Sequence, residues 1–373
     1  MSYFRMYSGP ASGPASGPAS GPASGPASGP ASGSVGWIAA AEALRKSRDA
    51  IVDPSDEKSY PLSDENDPDF VTRGDTPAAD LLNRLAHWDD WVVTTLCLPE
   101  LLKPLAFTTA ANKARVTMSL GGTAVVTSDR PSLKTFTHQL KGVIADAELR
   151  EDRAPEILMQ VNDTWSFWAS LLPLGADKTP ATARLMAIAH QFAIQVHMRF
   201  KHEFACARPE EYSAQVQPMI RTPGHGSYPM GHMCEAAMIA AVLTAVTEPV
   251  TANEIETATS TPKPTEADAW KSLGLQLLAL ANRIGDNRIV AGLHFQIDLE
   301  AGRALGNWLG GYFIACCHRD VASQRVPLAP ITCIPHQDHM GPLVVTNQAA
   351  QNFSLPAHPE LNTVWTEEVA RFV

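Results

Sequence analysis

The sequence lacks any apolar run long enough to cross a membrane, and it lacks an excess of positive charge. A membrane-spanning helix needs about 20 consecutive apolar residues, and no such stretch occurs in the 373 residues. The formal net charge is −10, whereas proteins that bind nucleic acid concentrate uncompensated Lys and Arg. We therefore expect neither a membrane nor a nucleic acid as a partner, and any cationic site must be local.

Regular cysteine spacing is also missing. The six cysteines follow no pattern, and two of them, Cys316 and Cys317, are adjacent. This arrangement favours reduced thiols over a disulfide framework. The first residues, MSYFRMYS, contain no apolar segment behind a basic one, as a secretory signal would. Together these features predict a cytoplasmic protein.

The N-terminal region is a low-complexity repeat. Six copies of GPAS run from Gly9 to Ser32, and their small side chains cannot build a core. We predict a disordered tether over 1–34 and one helical domain over 35–373.

Apolar residues recur mainly at intervals of three and four, which is typical of helices. The segments with this pattern are 78–105, 157–172, 182–205, 233–247, 267–283 and 289–317. Alternating Val, Ile and Thr are scarce; the nearest strand pattern is 116–126, beside Gly121 and Gly122. The sequence predicts an all-α fold of helical bundles, a surface loop over 248–266, and irregular chain from Pro327. The extensive apolar helices before residue 172 favour a homo-oligomer, a dimer or larger.

Three motifs, well separated in the sequence, contain basic residues, histidines or both. The first is Lys201-x6-Arg208-Pro209, at the end of a predicted helix. Seven residues at 100° each bring Arg208 back to within about 20° of Lys201, so this spacing predicts two cations on one helical face. Pro209 disfavours helix at Arg208 itself. Taken alone, the pair could equally be solvated surface charge.

The second motif is Tyr228-Pro-Met-Gly-His232, which leads directly into a predicted helix. The positive end of a helix presents unpaired N–H groups, and Gly231 allows close approach to the backbone. This arrangement suits an oxyanion, although an ordinary capped turn would have the same composition.

The third motif is Arg288-x5-His294-x3-Asp298, with apolar flanks. A carboxylate four residues after a histidine on one helix can fix the tautomer of the imidazole and raise its basicity. The apolar flanks favour burial of this pair over a surface position.

In this order, the three motifs resemble the vanadium-dependent haloperoxidases and the wider type 2 phosphatidic-acid phosphatase superfamily, which share one helical-bundle active site. The resemblance covers about Lys201 to Asp298 and implies an oxyanion site within 197–298. It implies that four residues besides His294 hold vanadate, or phosphate in its place, three through their side chains and Gly231 through its backbone N–H. These four are Lys201, Arg208, Gly231 and Arg288.

The resemblance also assigns the remaining roles. His294 would be the axial ligand to vanadium, or the nucleophile if the ligand were a phosphoester, and Asp298 would orient it. His232 would be the general acid and base, and Lys201 would also polarise the bound oxidant. His225 stands where family bromoperoxidases tend to carry His and chloroperoxidases Phe, which favours bromide or iodide as the halide.

One residue departs from the family pattern, because Met230 replaces the serine of the Pro-Ser-Gly-His turn. A thioether cannot donate a hydrogen bond to an oxyanion. The loss of such a charge-assisted bond weakens binding by roughly 1.5 to 3 kcal/mol.

The resemblance therefore implies an enzyme that uses hydrogen peroxide to oxidise halide to hypohalous acid, which halogenates a small organic acceptor. Two alternatives remain open from the sequence. One is a phosphatase acting on phosphoric monoesters through His294. The other is a repurposed member that has lost oxyanion binding through Met230.

Overall fold

The computed structural model describes a large part of the unit Leu85–Val373. The described residues are 88–161, 163–174, 179–247, 273–317, 325–336, 341–355, 358, 360–362 and 364–365. The predicted tether over 1–34 and the predicted loop over 248–266 lie outside them, as do the first parts of the predicted helices 78–105 and 267–283.

Helices form most of the described structure. They are α1 (Asp90–Leu102), α2 (Leu133–Asp146), α3 (Arg150–Met159), α4 (Trp165–Trp168), α5 (Pro180–Phe204), α6 (Pro209–Tyr212), α7 (Gly231–Thr247), α8 (Leu273–Val290) and α9 (Gln296–Cys317). Two predicted helical segments are interrupted, since 157–172 is split between α3 and α4, and 289–317 is broken between α8 and α9.

Helix α7 lies at the centre of the bundle, packed against α5, α8 and α9. Its sequence, GHMCEAAMIAAVLTAVT, is apolar on nearly every face, as expected of a helix with neighbours all round. This central position brings the Gly231-His232 end of α7 next to the ends of α5, α8 and α9.

A glycine stripe on α9 allows α7 to approach closely. A Cβ at Gly302 would overlap the carbonyl oxygen of Met230, and one at Gly306 would overlap that of Cys234. A Cβ at Gly310 would lie 2.7 Å from the Cβ of Ala241. The two helices therefore pack backbone against backbone along three turns.

The all-α prediction is wrong, because the chain also forms two sheets. The five-stranded mixed sheet has the order β1 (Leu105–Thr109), β2 (Arg115–Leu120), β3 (Thr123–Asp129), β5 (Ile331–Ile334) and β6 (Val344–Asn347). A two-stranded antiparallel sheet pairs β4 (Arg325–Leu328) with β7 (Gln351–Ser354). The region from Pro327 is therefore partly strand and not the irregular chain that its prolines predict.

The hairpin of β2 and β3 accounts for the strand pattern noted at 116–126. Gly121 and Gly122 have φ of 57° and 85°, which suits a tight hairpin turn. The later strands have four residues each, too short for alternation to stand out in the sequence. Their pairing comes from tertiary contact, as in the parallel register of Val126 with Ile331.

The larger sheet supports the helix ends that carry the three motifs. Ser128 of β3 and Tyr228 share a hydrogen bond of 2.9 Å between their buried hydroxyls. Phe107 of β1 packs edge-on against Phe200 of α5, with ring centroids 5.9 Å apart. None of the helices within the described residues is long and apolar enough to cross a membrane.

Candidate active site

Lys201 lies in the last turn of α5 and is 1% exposed. Its Nζ donates to the carbonyl oxygens of Gly226 and Ser227, at 2.9 and 2.8 Å. Burial, followed by the nearby charge of Arg208, holds the pKa of Lys201 well below its usual range. The lysine thus fixes the start of the Ser227 to His232 turn from within the core.

Arg208 is not on the same helix as Lys201, so the prediction of one shared helical face is wrong. Helix α5 ends at Phe204, Ala205 takes the left-handed conformation with φ of 46°, and Arg208 is extended at the start of α6. The guanidinium nevertheless points inward and is 2% exposed. The chain reversal, rather than helical periodicity, brings it back toward Lys201.

The guanidinium of Arg208 joins several parts of the site. Its Nη1 donates to the carbonyl oxygen of Leu293 at 3.0 Å and to Nε2 of His294 at 2.8 Å. Its Nη2 donates to Nδ1 of His225 at 3.1 Å. Burial lowers the pKa of Arg208 to about 10, so the group stays cationic at neutral pH.

His294 and Asp298 form the predicted pair, although His294 precedes α9, which begins at Gln296. Nδ1 of His294 lies 3.0 Å from Oδ2 of Asp298, which also accepts the N–H of Phe295 at 3.0 Å. Because Arg208 can only donate, Nε2 of His294 is the acceptor and Nδ1 carries the proton. Burial and then the charge of Arg208 hold the pKa of His294 well below its usual range.

Asp298 is fully buried, and burial raises its pKa to about 6 even though the N–H of Phe295 and the charge of Lys201 act in the opposite direction. The carboxyl is therefore ionised at neutral pH and can hold the proton-bearing face of His294. His294 is thus a neutral imidazole that is held by the Asp298 carboxylate. The lone pair on its Nε2 is directed at Arg208.

Arg288 lies in the last turn of α8 and is 1% exposed. Its Nη2 donates to the carbonyl oxygen of Ile157 at 3.2 Å and to Oε1 of Gln160 at 3.0 Å. Within the described residues, its Nε has no hydrogen-bond partner. Burial lowers its pKa to about 10. Gln160, which also accepts from Asn287 at 3.1 Å, was not anticipated from the sequence.

The Met230-Gly231-His232 turn is attached to α9 through its backbone. The N–H of Met230 donates to the carbonyl oxygen of Asp298 at 2.8 Å, and the side chain of Met230 is fully buried. Helix α7 begins at Gly231, two residues before the predicted helical segment 233–247. Burial and then the charge of Arg288 lower the pKa of the partly buried His232 to about 3, so this ring is neutral at pH 7.

Gly231 is needed for a second reason, which the sequence did not show. A Cβ at this position would lie 2.9 Å from Cε1 of His197 and 3.3 Å from Oε1 of Glu235. Nε2 of His197 lies 2.8 Å from Oε1 of Glu235, and Nε2 of His190 lies 3.2 Å from Oε2. A carboxylate held by two histidines therefore packs under the turn.

Two residue spacings in the sequence are consistent with this His190–Glu235–His197 cluster. His190 and His197 are seven residues apart on α5, and Glu235 follows His232 by three residues on α7. Each spacing returns a side chain to nearly the same helix face. Glu235, His190 and His232 also line one small cavity, with Thr164 and Trp168 on its other side.

The structure thus brings the predicted residues to the adjoining ends of α5, α7, α8 and α9. Contacts join Lys201 and His225 to Arg208, His294 and Asp298 through shared carbonyl oxygens and the His294 ring. Arg288 and His232 are linked to them through charge, since Arg288 lowers the pKa of His232, and His232 lowers that of His294. The two buried guanidinium cations, together with the buried Lys201 and two neutral histidines, can bind an oxyanion and move a proton.

A site of this kind, on the ends of packed helices, is that of the haloperoxidase and phosphatase superfamily. Residues 185–322 match the family model described as the VCPO second helical-bundle domain. This region of the chain is therefore a domain of the vanadium haloperoxidase type. No curated protein matches the sequence.

Proposed function

We propose that the protein is a vanadate-dependent haloperoxidase that uses hydrogen peroxide to oxidise bromide or iodide to hypohalous acid, which halogenates a small organic acceptor. The observation that carries this proposal is the state of His294. Its Nδ1–H is committed to Asp298, so Nε2 is the ring nitrogen that could act as a ligand once Arg208, which donates a hydrogen bond to it, turns to the anion.

The donor set fits an oxyanion such as vanadate. Lys201, Arg208 and Arg288 supply three buried positive charges, and Nε of Arg288 is an orphaned buried donor among the described residues. Charge-assisted N–H groups of this kind are the donors that oxyanions prefer in proteins. Bound vanadate would supply a Lewis-acidic centre that activates hydrogen peroxide toward halide.

The residues of the chain would then divide the work. Lys201, Arg208 and Arg288 hold oxygens of the anion and draw negative charge toward themselves as it develops on the oxidant. Arg208 must exchange its hydrogen bond with His294 for one with the anion. Asp298 keeps the His294 ring in the tautomer that presents Nε2.

His232 is suited to proton transfer. Its ring is neutral at pH 7, so it could take up a proton from hydrogen peroxide and give one to a leaving oxygen. An anion in the site would raise the pKa of His232 toward neutrality, because an opposite charge favours the protonated ring.

His225 supports bromide or iodide as the halide. Its ring accepts from Arg208 and is only partly buried, so it lies at the border between the cations and the exterior. A polar imidazole there suits a large, weakly hydrated halide guided by the charge of Arg208 better than the apolar ring implied for chloride enzymes.

The test is an assay of apo protein with hydrogen peroxide and bromide, iodide or chloride, with and without orthovanadate. We expect bromide and iodide oxidation that depends on vanadate, disappears in His294→Gln and persists in His202→Gln, a change of an exposed histidine on α5. Hydrolysis of a phosphate monoester without halide oxidation would instead establish the phosphatase. Binding of neither vanadate nor phosphate would establish the repurposed member.

A further inference from the structure

The cavity beside His232 contains polar groups that the proposed chemistry does not use. It is lined by Thr164, Trp168, His190, His232 and Glu235, with Ala236, Ile239 and Ile284 closing it. Its free space holds about one water molecule, and a buried water needs two to four polar partners, which His190, His232 and Thr164 can supply. Within the described residues, no three His, Cys, Asp or Glu side chains are arranged to hold a metal ion.

His190 has an unused acceptor in this region. It is 8% exposed, and its Nε2 is directed at the carboxylate of Glu235. A carboxylate can only accept, so the neutral ring carries its proton on Nε2 and a lone pair on Nδ1. Nδ1 of His190 has no protein partner among the described residues. A buried acceptor without a partner is costly, and a water in the cavity would satisfy it.

We propose that one water in this cavity connects His232 to His190, and that the His190–Glu235 pair passes through this water to His232 the proton that each turnover consumes. The inference rests on the proposed function in that His232 is the group that handles this proton. It assigns His190 and Glu235 as positioning residues that act through His232.

The proton balance of the relay follows from the proposed reaction, in which halide, hydrogen peroxide and one proton give hypohalous acid and water. His190, protonated on Nδ1 from solvent, is an imidazolium beside the Glu235 carboxylate, which stabilises it by charge and by the existing hydrogen bond. It gives the Nδ1 proton to the cavity water while the water gives one of its own to His232. His190 returns to its neutral form, and His232 delivers its proton at the oxyanion site.

The charges around the relay keep the proton on His190 until an anion occupies the oxyanion site. Two basic side chains act on histidines near the relay. The charge of Arg288 on α8 lowers the pKa of His232, and the charge of Lys201 on α5 lowers the pKa of His197. Glu235 acts oppositely on both histidines. A proton on His232 is thus disfavoured by the site cations, whereas one on His190 has the carboxylate as an immediate neighbour.

His197 separates the relay from a purely structural role of Glu235. It holds the other carboxylate oxygen at 2.8 Å and packs against Gly231, but it does not line the cavity. If Glu235 served only to support the turn, removing His197 would slow proton transfer more than removing His190 does. If the relay is correct, removing His190 has the larger effect on proton transfer.

The test uses full-length protein and the variants His190→Gln, Glu235→Gln, His197→Gln and the exposed control His202→Gln. Titration of ¹⁵N-labelled histidines by NMR, without any anion, gives the ring pKa values. We expect His190→Gln and Glu235→Gln, but not His202→Gln, to shift the titration of His232. An unchanged His232 titration in both variants would overturn the relay.

A second measurement follows turnover with orthovanadate, bromide and hydrogen peroxide across pH. We expect His190→Gln and Glu235→Gln to lower kcat about tenfold or more with little change in KM for peroxide, and imidazole in the buffer to restore part of the rate to His190→Gln. Loss in His197→Gln as large as in His190→Gln, without imidazole rescue, would argue against the relay. If the wild type shows no vanadate-dependent turnover, the proposed function fails, while the NMR titration still decides the relay.

Discussion

Arg208 donates a hydrogen bond from Nη1 to Nε2 of His294 across 2.8 Å, so a cation covers the lone pair that an anion-bound site would use. The same guanidinium is also held by the carbonyl oxygen of Leu293 and the ring of His225. Under the proposed function, binding of an oxyanion would be an exchange, in which Arg208 leaves His294 for the anion and uncovers Nε2.

Replacing Arg208 with Gln should weaken the anion site and make His294 more basic. The charge of Arg208 helps to hold the pKa of His294 low, so its removal raises that pKa. Loss of a charge-assisted bond weakens phosphate or vanadate binding by about 1.5 to 3 kcal/mol. Histidine NMR and calorimetric titration with phosphate measure the two effects. Lys141→Gln, which removes an exposed charge on α2, should change neither. Unaltered phosphate affinity in Arg208→Gln would remove this arginine from the site.

Met230→Ser should strengthen oxyanion binding. It restores a hydroxyl donor next to Gly231 and leaves the backbone hydrogen bond from residue 230 to Asp298 in place. We expect about tenfold tighter phosphate binding, which corresponds to the lower end of a charge-assisted hydrogen bond. The variant also leaves a small cavity and should unfold at a lower temperature. Equal or weaker phosphate binding by folded Met230→Ser would show that this side chain is remote from the anion.

Gln160→Ala should weaken anion binding through Arg288. Gln160 accepts from both Arg288 and Asn287, and its loss leaves the guanidinium with fewer constraints. We expect a loss of about 1 kcal/mol in stability and several-fold weaker phosphate binding at a temperature where circular dichroism shows a folded protein. Gln215→Ala, at an exposed position, is the matched control. A stability loss with unchanged phosphate affinity would limit Gln160 to a structural role.

Gly306→Ala should destabilise the bundle by about 1 to 3 kcal/mol, because its Cβ would overlap the carbonyl oxygen of Cys234. The matched control is Gly142→Ala on α2, where a Cβ would meet nothing within 4 Å. There, alanine should stabilise by about 0.4 to 1 kcal/mol, since it restricts the unfolded chain. Urea unfolding measures both. Similar free energies of unfolding for the two variants would contradict the close packing of α7 and α9.

Stability should fall as the pH drops below about 6.5. Burial lowers the pKa of His197, His232 and His294, so these rings stay neutral in the folded protein while the unfolded chain takes up protons. With its pKa of about 3, His232 alone accounts for a loss of roughly 2 kcal/mol between pH 6.5 and 5. The raised pKa of Asp298, about 6, makes this carboxyl favour the folded state as the pH falls. It is one group, whereas three histidines act in the other direction.

Urea unfolding at pH 7, 6 and 5 measures this dependence. His232→Gln should reduce the slope of stability against pH by close to one proton, whereas His202→Gln, at an exposed position, should leave it nearly as in the wild type. A stability that rises on acidification over this range would show that the three rings are protonated in the folded protein.

The helices were largely predictable and the sheets were not. The pattern at 182–205 and 233–247 closely matches α5 and α7, because a buried helix of this length leaves many apolar positions at intervals of three and four. The strands β5 and β6 pair with each other, and β5 also with β3, about two hundred residues earlier. Such partners decide whether a four-residue segment becomes a strand, and local sequence does not contain them.

For the site, the sequence identified the charged residues but not how they are brought together. The spacing of His294 and Asp298 predicted their contact correctly, since four residues span one turn whether or not the first of them is inside the helix. The spacing of Lys201 and Arg208 misled, because the left-handed Ala205 ends α5 between them. Gln160 and Glu235 were missed, because each takes its partners from another helix, and no short motif shows that.

The parallel pairing of β3 with β5 connects segments on either side of the family-matched residues 185–322. Ser128 of β3 also holds Tyr228, and the N–H of Leu343 donates to Glu300 of α9 at 2.6 Å. The family-matched segment is therefore braced by strands that lie outside it on both sides. A change in these strands would reach the candidate site through the residues that they hold in place.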